Sequence, residues 1–507
     1  MMALAELVAR HGGTCQPALC GSGPSVRGIQ LDSRAVTPGD LFAALPGRVS
    51  DGGRFVAQAL ERGAVAVLSQ SSLATERSAE GAPAAVPNWI HPRARRIVGE
   101  ACAEIHGHPS RHMFVIAVTG TNGKTTTAHL TAQLLAHVGR RPAFLGTAGN
   151  RLADGHLLGA THTTPDAPSL QALLARHLEL SGDSVALELS SHALDQERHA
   201  GLEIDVAQFT NLTQDHLDYH GDMASYGAAK QVLFQSLSAG AHAVINADDA
   251  AGLAMAKCAR ASGASVHTYS MRSRADLWVE GVESDSQGTR FWIQGMGILR
   301  TKVRLPLWGH YNVANALAAL AAVLLSGASP LHVLEGLASV SPAPGRLERV
   351  DAGALGLTLL VDYAHSEDAL RKVLATLRSH LPQRSGARLL CVFGCGGDRD
   401  RAKRPLMGAA VAELADVAIL TSDNPRGEDP GAIVAEILAG MSAGSERVVE
   451  LDRRRAIARA LELAREGDIV LVAGKGHETT QTIAGVAHPF DDRAVLAELA
   501  RERALKK

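Results

Sequence analysis

Short runs of aliphatic or β-branched residues alternate with longer amphipathic segments from about residue 110 onward. This alternation is typical of βαβ units, in which helices cover a mostly parallel sheet. The predicted strands are residues 114–118, 184–189, 207–210, 243–246, 357–362, 389–393, 417–421 and 468–472. Most polar clusters begin where one of these strands ends, and ligands of open α/β sheets bind at that edge. The pattern therefore predicts the position of a functional site before any motif is considered.

Two changes in composition divide the chain. Residues 71–92 are rich in Ser, Ala and Pro, and after one helical segment the chain reaches Gly-His-Pro-Ser at 107–110. The second change, at 341–346, follows an Ala- and Leu-rich helix at 312–325. We therefore predict an α/β protein of three domains: a small N-terminal α/β domain at 1–108, a central domain with a mostly parallel sheet at 109–340, and a third domain at 341–507.

The composition is that of an ordinary globular protein, with 507 residues, 46% hydrophobic residues and a net charge of -2. No overall field favours nucleic acid or an anionic membrane as a partner. Six scattered cysteines without a CxxC pair argue against a disulfide framework or a structural zinc site. The longest apolar run, 316–325, is far shorter than the ~18 residues of a membrane span. We expect a cytoplasmic protein.

A glycine-rich loop directly follows the first predicted strand of the central domain and opens a helix through about His137. Glycines let backbone amides and the helix N-terminus face phosphate oxygens, while Lys124 neutralises charge and Thr125 offers a hydroxyl to Mg²⁺. The alternative, a plain glycine-rich turn, does not explain the order strand, loop, Gly-Lys-Thr, helix. The predicted phosphate-binding residues are Gly120, Thr121, Asn122, Gly123, Lys124, Thr125 and Thr126.

Two residues near strand ends are candidate magnesium ligands. Glu188 lies at the end of the predicted strand 184–189, and His216 follows the next strand in a polar segment. Mg²⁺ prefers a few hard oxygen ligands and comes with a bound nucleotide polyphosphate. The alternative is that the acidic and histidine residues of this segment only cap a helix and hold a loop.

Eight ordered motifs extend over nearly the whole chain: GTNGKTT at 120–126, TTPD at 163–166, ELSSH at 188–192, DHLDYH at 215–220, GHYN at 309–312, DYAH at 362–365, GCGGDRD at 394–400 and GKGHE at 474–478. In these motifs the chain resembles the Mur ligase family, the ATP-dependent amide-forming enzymes of peptidoglycan precursor synthesis. Within that family it is most similar to the members that add a diamino acid.

The resemblance implies a central P-loop-type ATP-binding domain, a C-terminal amino-acid-binding Rossmann-like domain and an N-terminal domain for a UDP-linked substrate. It implies that ATP phosphorylates the D-Glu carboxylate of UDP-N-acetylmuramoyl-L-alanyl-D-glutamate, and that the amine of meso-2,6-diaminopimelate then displaces phosphate. ATP and Mg²⁺ are the expected cofactors, and a monomer is expected. The implied catalytic residues are Lys124, Glu188, His216 and Lys230.

Lys230 occupies the position that carries a carbamylated lysine in the family. An unmodified ammonium beside Mg²⁺ would be repelled, whereas CO₂ addition makes it an anionic oxygen ligand. The alternative is an ordinary lysine extending from a helix. The implied metal ligands are thus Thr125, Glu188, His216 and the carbamate of Lys230.

The resemblance also implies two further sets of contacts. Segments 31–34 and 39–47 resemble the part that holds UDP, although residues 48–50 depart from better-known relatives. The implied UDP-dipeptide residues are Leu31, Ser33, Arg48, Val49, Ser50, His162, Thr163, Thr164, Ser190, Gln196 and Arg198. The implied adenosine-facing residues are Asn312, Asn315, Arg346 and Asp362, each of which could instead be a cap or turn residue.

The segment 423–426 resembles the part of the family that selects the incoming amino acid. Diaminopimelate has a second carboxylate at the far end of its side chain, which a guanidinium such as that of Arg426 can bind with two hydrogen bonds. Lysine presents an ammonium there and would be repelled. The implied diaminopimelate-binding residues are Arg399, Asp423, Asn424, Pro425, Arg426, Gly474 and Glu478.

Several alternatives remain open at the level of sequence. A lysine-adding ligase is disfavoured by Arg426, and a folylpolyglutamate synthetase should lack the UDP-like segment and the 423–426 segment. A P-loop ATPase switch would release phosphate without any amine. A binding module without catalysis would leave Glu188, His216 and Lys230 without a common purpose.

Overall fold

Three large β-sheets follow one another along the chain in the computed structural model, with two smaller two-stranded sheets among the described residues. The structure describes residues 1–47, 50–73, 86–159, 162–285, 287–381, 386–442 and 444–505. The predicted three-part α/β fold is confirmed, while the boundaries near residues 108 and 340 stay predictions. None of the six cysteines forms a disulfide. None of the helices in these described ranges combines the length and apolar character that a membrane crossing requires.

The first sheet has five strands and helices on both faces. Its spatial order is Thr14–Gln16, Asn88–Ile90, Ala66–Ser69, Asp40–Ala44 and Gly28–Gln30, of which the last four are parallel. The helices are Leu4–His11, Val56–Glu61 and Ala94–Ile105, and the short strands Met2–Ala3 and Ser25–Val26 pair beside them. Ser33 begins the 3₁₀ turn Ser33–Ala35, just beyond the carboxyl end of an edge strand.

The second sheet has eleven strands, and its middle is parallel. Its spatial order is Leu157–Leu158, Gly149–Arg151, Pro142–Gly146, Ser184–Glu188, Phe114–Thr119, Val206–Phe209, His242–Asn246, Ser265–Ser270, Leu277–Asp285, Gly288–Gly295 and Ile298–Leu305. The seven strands from Pro142–Gly146 to Leu277–Asp285 are parallel, and the two strands at each edge are antiparallel. The helices are Lys124–His137, Ala167–Glu179, Ser191–Asp195, Leu217–His220, Met223–Gln235, Gly252–Ala261, His310–Leu324 and Pro330–Leu337.

Strand alternation divides the core of this sheet between its two faces. Val115 and Ala117 belong to one apolar cluster, and Ile116 belongs to the other. Helix His310–Leu324 is buried on all sides over residues 316–323, because it lies between the sheet and helix Lys124–His137. Its N-terminal turn therefore lies next to the glycine-rich loop.

The third sheet is parallel except at one edge. Its spatial order is Glu348–Val350, Thr358–Asp362, Ile469–Ala473, Leu389–Phe393, Val417–Leu420 and Glu446–Val449, with the first strand antiparallel. The helices are Glu367–His380, Lys403–Leu414, Pro430–Leu438, Arg453–Leu463 and Asp492–Leu505. The hairpin Thr480–Ile483 and Val486–Pro489 follows the strand Ile469–Ala473.

A fully buried ion pair holds the third unit together. Arg453 Nη2 donates to Asp492 Oδ2 at 2.7 Å and to the Ala473 carbonyl at 2.9 Å, and both charged side chains are 0% exposed. Asp492→Ala would leave the guanidinium buried without its counter-charge, so we expect a loss of about 3 kcal/mol. Calorimetry should show the transition of this unit about 6–12 °C lower.

The neighbouring pair provides the control for this prediction. Arg454 lies next in sequence but pairs with Glu498 at the surface, where the side chains are 42% and 52% exposed. Arg454→Ala should therefore change stability by less than about 1 kcal/mol. Equal transition temperatures for Asp492→Ala and the unaltered protein would contradict a stabilising role of the buried pair.

Candidate active site

The glycine-rich loop joins strand Phe114–Thr119 to helix Lys124–His137, as predicted. Two of its glycines are required by space as well as by backbone angle. Gly120 has φ 151°, and a Cβ there would lie 1.9 Å from Thr210 Oγ1; Gly123 has φ 87°, and its Cβ would lie 2.4 Å from Asn315 Oδ1. The first amides of the following helix have no intrahelical acceptors and suit an anion.

Lys124 folds back over this loop. Its Nζ donates to the carbonyls of Gly120 at 2.9 Å and Thr121 at 2.8 Å. Burial lowers the pKa of Lys124, and the nearby carboxylate of Glu188 opposes that shift. The ammonium is thus held at the mouth of the loop, where it can neutralise a phosphate.

Glu188 connects the loop to the neighbouring strand. Its Oε2 accepts a hydrogen bond from Thr125 Oγ1 at 3.0 Å, and its Oε1 accepts from the Thr147 amide at 2.8 Å. Burial raises the pKa of this fully buried carboxyl, while Lys124 and Arg346 counteract the rise. Arg346, from beyond the second composition change, donates to the same Thr125 hydroxyl at 3.1 Å.

These oxygen donors fit Mg²⁺. A Cβ on Gly146 would lie 2.1 Å from Glu188 Oε1, so the glycine leaves room around the carboxylate. Within the described ranges, no three His, Cys, Asp or Glu side chains form a group that could hold a metal by themselves. Mg²⁺ takes one or two carboxylates and completes its shell with phosphates and water, and here Glu188 and Thr125 would supply the protein oxygens.

Among the described contacts, the side chain of His216 makes no hydrogen bond to Glu188. Its side chain is 43% exposed, it lies 3.6 Å from Asp215 Oδ2, and its ring packs edge-on against His192. Desolvation, with Lys124 and Lys230 adding to it, lowers the pKa of His216 to about 4. The ring is therefore neutral at pH 7, and the lone pair of its unprotonated nitrogen can bind a metal ion or accept a hydrogen bond.

Lys230 contacts the same loop from helix Met223–Gln235. Its side chain is 1% exposed, its Nζ donates to the Gly120 carbonyl at 2.9 Å and lies 4.2 Å from the Tyr226 ring centre. Because Lys124 Nζ is also 2.9 Å from that oxygen, the two nitrogens are at most about 5.8 Å apart. Burial, followed by the charge of Lys124, lowers the pKa of Lys230 well below its usual value.

A cavity of about 620 Å³ lies beside the loop, between the second and third sheets. The predicted residues Asn122, Gly123, Thr126, Asn312, Asn315, Arg346 and Asp362 line it. The Asp362 carboxylate accepts hydrogen bonds from the amides of Leu347 at 2.7 Å and Ala364 at 2.8 Å. It therefore also fixes the backbone that directly follows residues 341–346. Lining residues that sequence reasoning missed include Asp248, Tyr269, Arg272 and Lys372.

Five predicted dipeptide residues lie together on the other side of Glu188. Thr164 Oγ1 donates to the Glu188 carbonyl at 2.7 Å and accepts from the Ser190 amide at 3.1 Å. Arg198 donates to the Thr164 carbonyl at 2.7 Å and, through Nη2, to Gln196 Oε1 at 2.8 Å.

The fifth of these residues is Thr163, whose hydroxyl accepts from Thr147 Oγ1 at 3.0 Å. His162 lies exposed at the surface.

The first unit supplies fewer described contacts. Ser33 is buried, and its hydroxyl donates to Gln58 Oε1 at 2.6 Å. Leu31 is 37% exposed and Ser50 is exposed. Arg48 and Val49 lie outside the described residues, so their predicted contacts with a UDP group stay predictions.

The predicted amino-acid residues converge at the carboxyl edge of the third sheet. Asn424 Nδ2 donates to Glu478 Oε2 at 2.8 Å, and Arg426 Nη1 donates to the Gly397 carbonyl at 2.8 Å. A Cβ on Gly474, at φ 115°, would lie 2.4 Å from Asp423 Oδ2.

Pro425 is buried beside Asn424, and the exposed Arg399 follows Asp398 in the adjoining loop. Lys475, which contacts both Asn424 and Glu478, was missed as a functional residue although its motif was recognised.

Comparisons with known proteins agree with this geometry. Three family models match in order: Mur ligase family, catalytic domain, at 25–106; Mur ligase middle domain at 118–323; and Mur ligase, glutamate ligase domain, at 345–476. A UDP-N-acetylmuramoyl-L-alanyl-D-glutamate--2,6-diaminopimelate ligase from Chromobacterium violaceum is 45% identical over 94% of each chain. The Streptomyces avermitilis ligase of the same name is 46% identical over 94% of this chain and 93% of its own. A solved structure of a ligase with that name superposes with a TM-score of 0.66 at 37% identity, covering 94% of this chain and 95% of its own.

Proposed function

The chain belongs to the Mur ligase family, and we infer from this that it is an ATP-dependent carboxylate–amine ligase. It adds meso-2,6-diaminopimelate to UDP-N-acetylmuramoyl-L-alanyl-D-glutamate in peptidoglycan precursor synthesis, with ATP and Mg²⁺. One observation supports this chemistry most directly. The carboxylate of Glu188 accepts a hydrogen bond from Thr125 of the phosphate-binding loop. Its backbone carbonyl accepts one from Thr164, which belongs to the residues proposed to bind the dipeptide.

The first step needs two anions side by side, the γ-phosphate of ATP and the D-Glu carboxylate. We propose that Lys124 and the first amides of helix Lys124–His137 hold the phosphates, with Arg346 adding positive charge beside Thr125. Arg198, with Gln196 and Thr164, orients the dipeptide. Mg²⁺, bound by Thr125, Glu188 and His216, would neutralise the transferring phosphate.

The second step brings an amine to the acyl phosphate. Carboxylate itself is a poor acyl donor, whereas phosphate is a good leaving group. We propose that Glu478 and Asn424 bind an amino group of diaminopimelate, that Arg426 binds its distal carboxylate, and that Arg399, Asp423, Pro425 and Gly474 complete the pocket. Arg346 and the pair Asn122–Asp368, at 2.7 Å, join the third unit to the phosphate loop. These contacts support an amine site that opens into the same cleft as the proposed ATP site.

Lys230 is proposed to act as a carbamate. Its desolvated amine is held beside Lys124, and both conditions favour the uncharged form that can attack CO₂. The uncharged amine nitrogen bonds to the CO₂ carbon, one C=O bond gives up its π electrons to oxygen, and the nitrogen releases one proton to solvent, so that a neutral amine becomes an anionic carbamate. Counted from the ammonium form, two protons are released. The resulting carboxylate oxygens would supply a metal ligand and would relieve the repulsion between two adjacent ammonium groups.

We propose that the three units 1–108, 109–340 and 341–507 carry the UDP, ATP and amino-acid sites respectively. Ser33, Leu31 and segment 48–50 are the proposed contacts for UDP. ATP and a UDP-linked substrate are cytoplasmic metabolites, which supports a cytoplasmic enzyme.

Product analysis tests the function. With ATP, Mg²⁺, the UDP-muramoyl dipeptide and meso-diaminopimelate, we expect one phosphate released per amide formed, with the tripeptide mass as product. Omission of either the dipeptide or the amine should reduce phosphate release to background. Phosphate release without amine would instead indicate an ATPase switch, and equal use of lysine would indicate a lysine-adding ligase.

A further inference from the structure

A fully buried lysine lies behind the proposed amine site. The Lys475 side chain is 0% exposed, and its Nζ donates to three oxygens: the Thr480 carbonyl at 2.6 Å, Glu478 Oε2 at 2.9 Å and Asn424 Oδ1 at 3.2 Å. An ammonium has three protons, and these three acceptors use all of them. Lys475 therefore has no donor left for a bound amino acid.

These bonds determine how Asn424 is turned. Its Oδ1 accepts from Lys475 and from the Thr482 amide, the latter at 2.9 Å. With two donors at the oxygen, the amide nitrogen must point the other way, where it donates to Glu478 Oε2 at 2.8 Å. A reversed amide would bring its own N–H groups against two donors.

Hydrogen bonds from Lys475 and Asn424 also fix the Glu478 carboxylate, which remains accessible to solvent. One carboxylate oxygen receives donors from both Lys475 and Asn424, while the side chain stays 31% exposed. A carboxylate held at one oxygen and still accessible is suited to receive a ligand ammonium in a defined place.

Lys475 also anchors the hairpin that supports residues 423–426, the segment proposed to select the amino acid. Lys475 binds the carbonyl of Thr480, the first residue of the hairpin strand Thr480–Ile483. Two residues later the Thr482 carbonyl accepts from the Arg426 amide at 3.0 Å. Between them, Gln481 Nε2 donates to the Asp423 carbonyl at 2.7 Å.

We propose that Lys475 is a positioning residue of the amine site. Without touching the amino acid, its ammonium sets the orientation of Asn424, holds Glu478 and ties the hairpin to residues 423–426. This inference rests on the proposed function, because it assumes that the amino acid binds against Asn424 and Glu478.

Lys475→Met tests the inference, since Met keeps the buried stem and removes the ammonium. We expect the KM for meso-diaminopimelate to rise by about tenfold or more, as for loss of hydrogen bonds to a charged group. The KM values for ATP and for the UDP-muramoyl dipeptide should stay within about twofold, and kcat should fall less than that KM rises. Lys257→Met, at an exposed lysine of helix Gly252–Ala261, should match the unaltered enzyme throughout.

A second pair of variants covers the case in which Lys475→Met does not fold. Lys475→Met with Glu478→Gln leaves neither member of the ion pair charged, and it is compared with Glu478→Gln alone. The double variant should raise the KM for meso-diaminopimelate at least about threefold further, because Asn424 also loses its fixed orientation.

Three results would overturn the inference. They are equal rises in all three KM values for Lys475→Met, an unchanged KM for meso-diaminopimelate, and identical kinetics for the double variant and Glu478→Gln. Failure of the unaltered enzyme to join meso-diaminopimelate would refute the proposed function, and the positioning role with it. An active unaltered enzyme with any of the three results refutes the positioning role alone.

Discussion

Lys230→Ala should reduce ligase activity by about 10³-fold or more, and millimolar formate or acetate should restore part of it. The loss is expected because a carbamate at this buried position would supply a metal ligand and offset Lys124, which lies at most about 5.8 Å away. A small added carboxylate can occupy the space left by the side chain and replace the missing anion. Initial rates of phosphate release with all substrates present measure both effects.

Two variants separate the carbamate from the hydrogen bond that Lys230 makes in its unmodified form. Lys230→Arg keeps a donor for the Gly120 carbonyl but cannot take up CO₂ in the same way, so it should be inactive. Lys257→Ala replaces an exposed lysine, so its ligase activity should equal that of the unaltered enzyme and should not change when acetate is added. Substantial activity of Lys230→Ala without any additive, or of Lys230→Arg, would reject the carbamate.

The elements that carry the phosphate loop could be predicted closely because their signals are local. The strand predicted at 114–118 is Phe114–Thr119, and the helix predicted to run to about His137 is Lys124–His137. Strand, glycines and helix start lie within a few residues, so hydrophobic pattern and backbone requirement agree. Four strands of the third unit, predicted at 357–362, 389–393, 417–421 and 468–472, could be predicted for the same reason, because each contains a continuous apolar run. The edge strands Glu348–Val350 and Glu446–Val449 begin with charged residues and were not predicted.

Contacts between distant segments could not be predicted in this way. The antiparallel strands Gly288–Gly295 and Ile298–Leu305 extend the central sheet, but the second of them has mostly exposed or half-exposed residues and carries little apolar signal. Arg346 was expected near adenosine, yet it also reaches Thr125, which lies 221 positions away in sequence. No local pattern encodes such a pairing.

The direction of a side chain was equally hidden. Motif GKGHE drew attention to Glu478, but only the fold shows that the lysine within it turns inward to three oxygens. Asp362 shows the opposite case. It was expected to face a ligand, but its carboxylate oxygens accept hydrogen bonds from two backbone amides. The position of a residue beside the cavity was therefore easier to predict from the sequence than the direction of its side chain.

Arg426→Ala should lower kcat/KM for meso-diaminopimelate by about 100- to 1000-fold while leaving the KM for ATP within about twofold. The guanidinium is half-buried and is held by the Gly397 carbonyl at 2.8 Å, while the Arg426 amide is fixed by the Thr482 carbonyl at 3.0 Å. A carboxylate bound by two parallel N–H groups in such a site typically contributes several kcal/mol, and alanine removes the charge and both donors. Competition assays with meso-diaminopimelate and lysine measure the change.

Arg426→Ala should also reduce the preference of the enzyme for meso-diaminopimelate over lysine, because the ammonium of lysine is no longer repelled by the Arg426 guanidinium. Arg426→Lys keeps the charge as a single point without the planar fork, so its activity should lie between those of alanine and the unaltered enzyme. Arg401→Ala is the matched control, since this 66%-exposed arginine of the neighbouring loop pairs with Glu436 outside the site. If Arg426→Ala and the unaltered enzyme used meso-diaminopimelate equally well, the distal carboxylate must be recognised elsewhere, and selection of the amine would have to come from another part of the cleft.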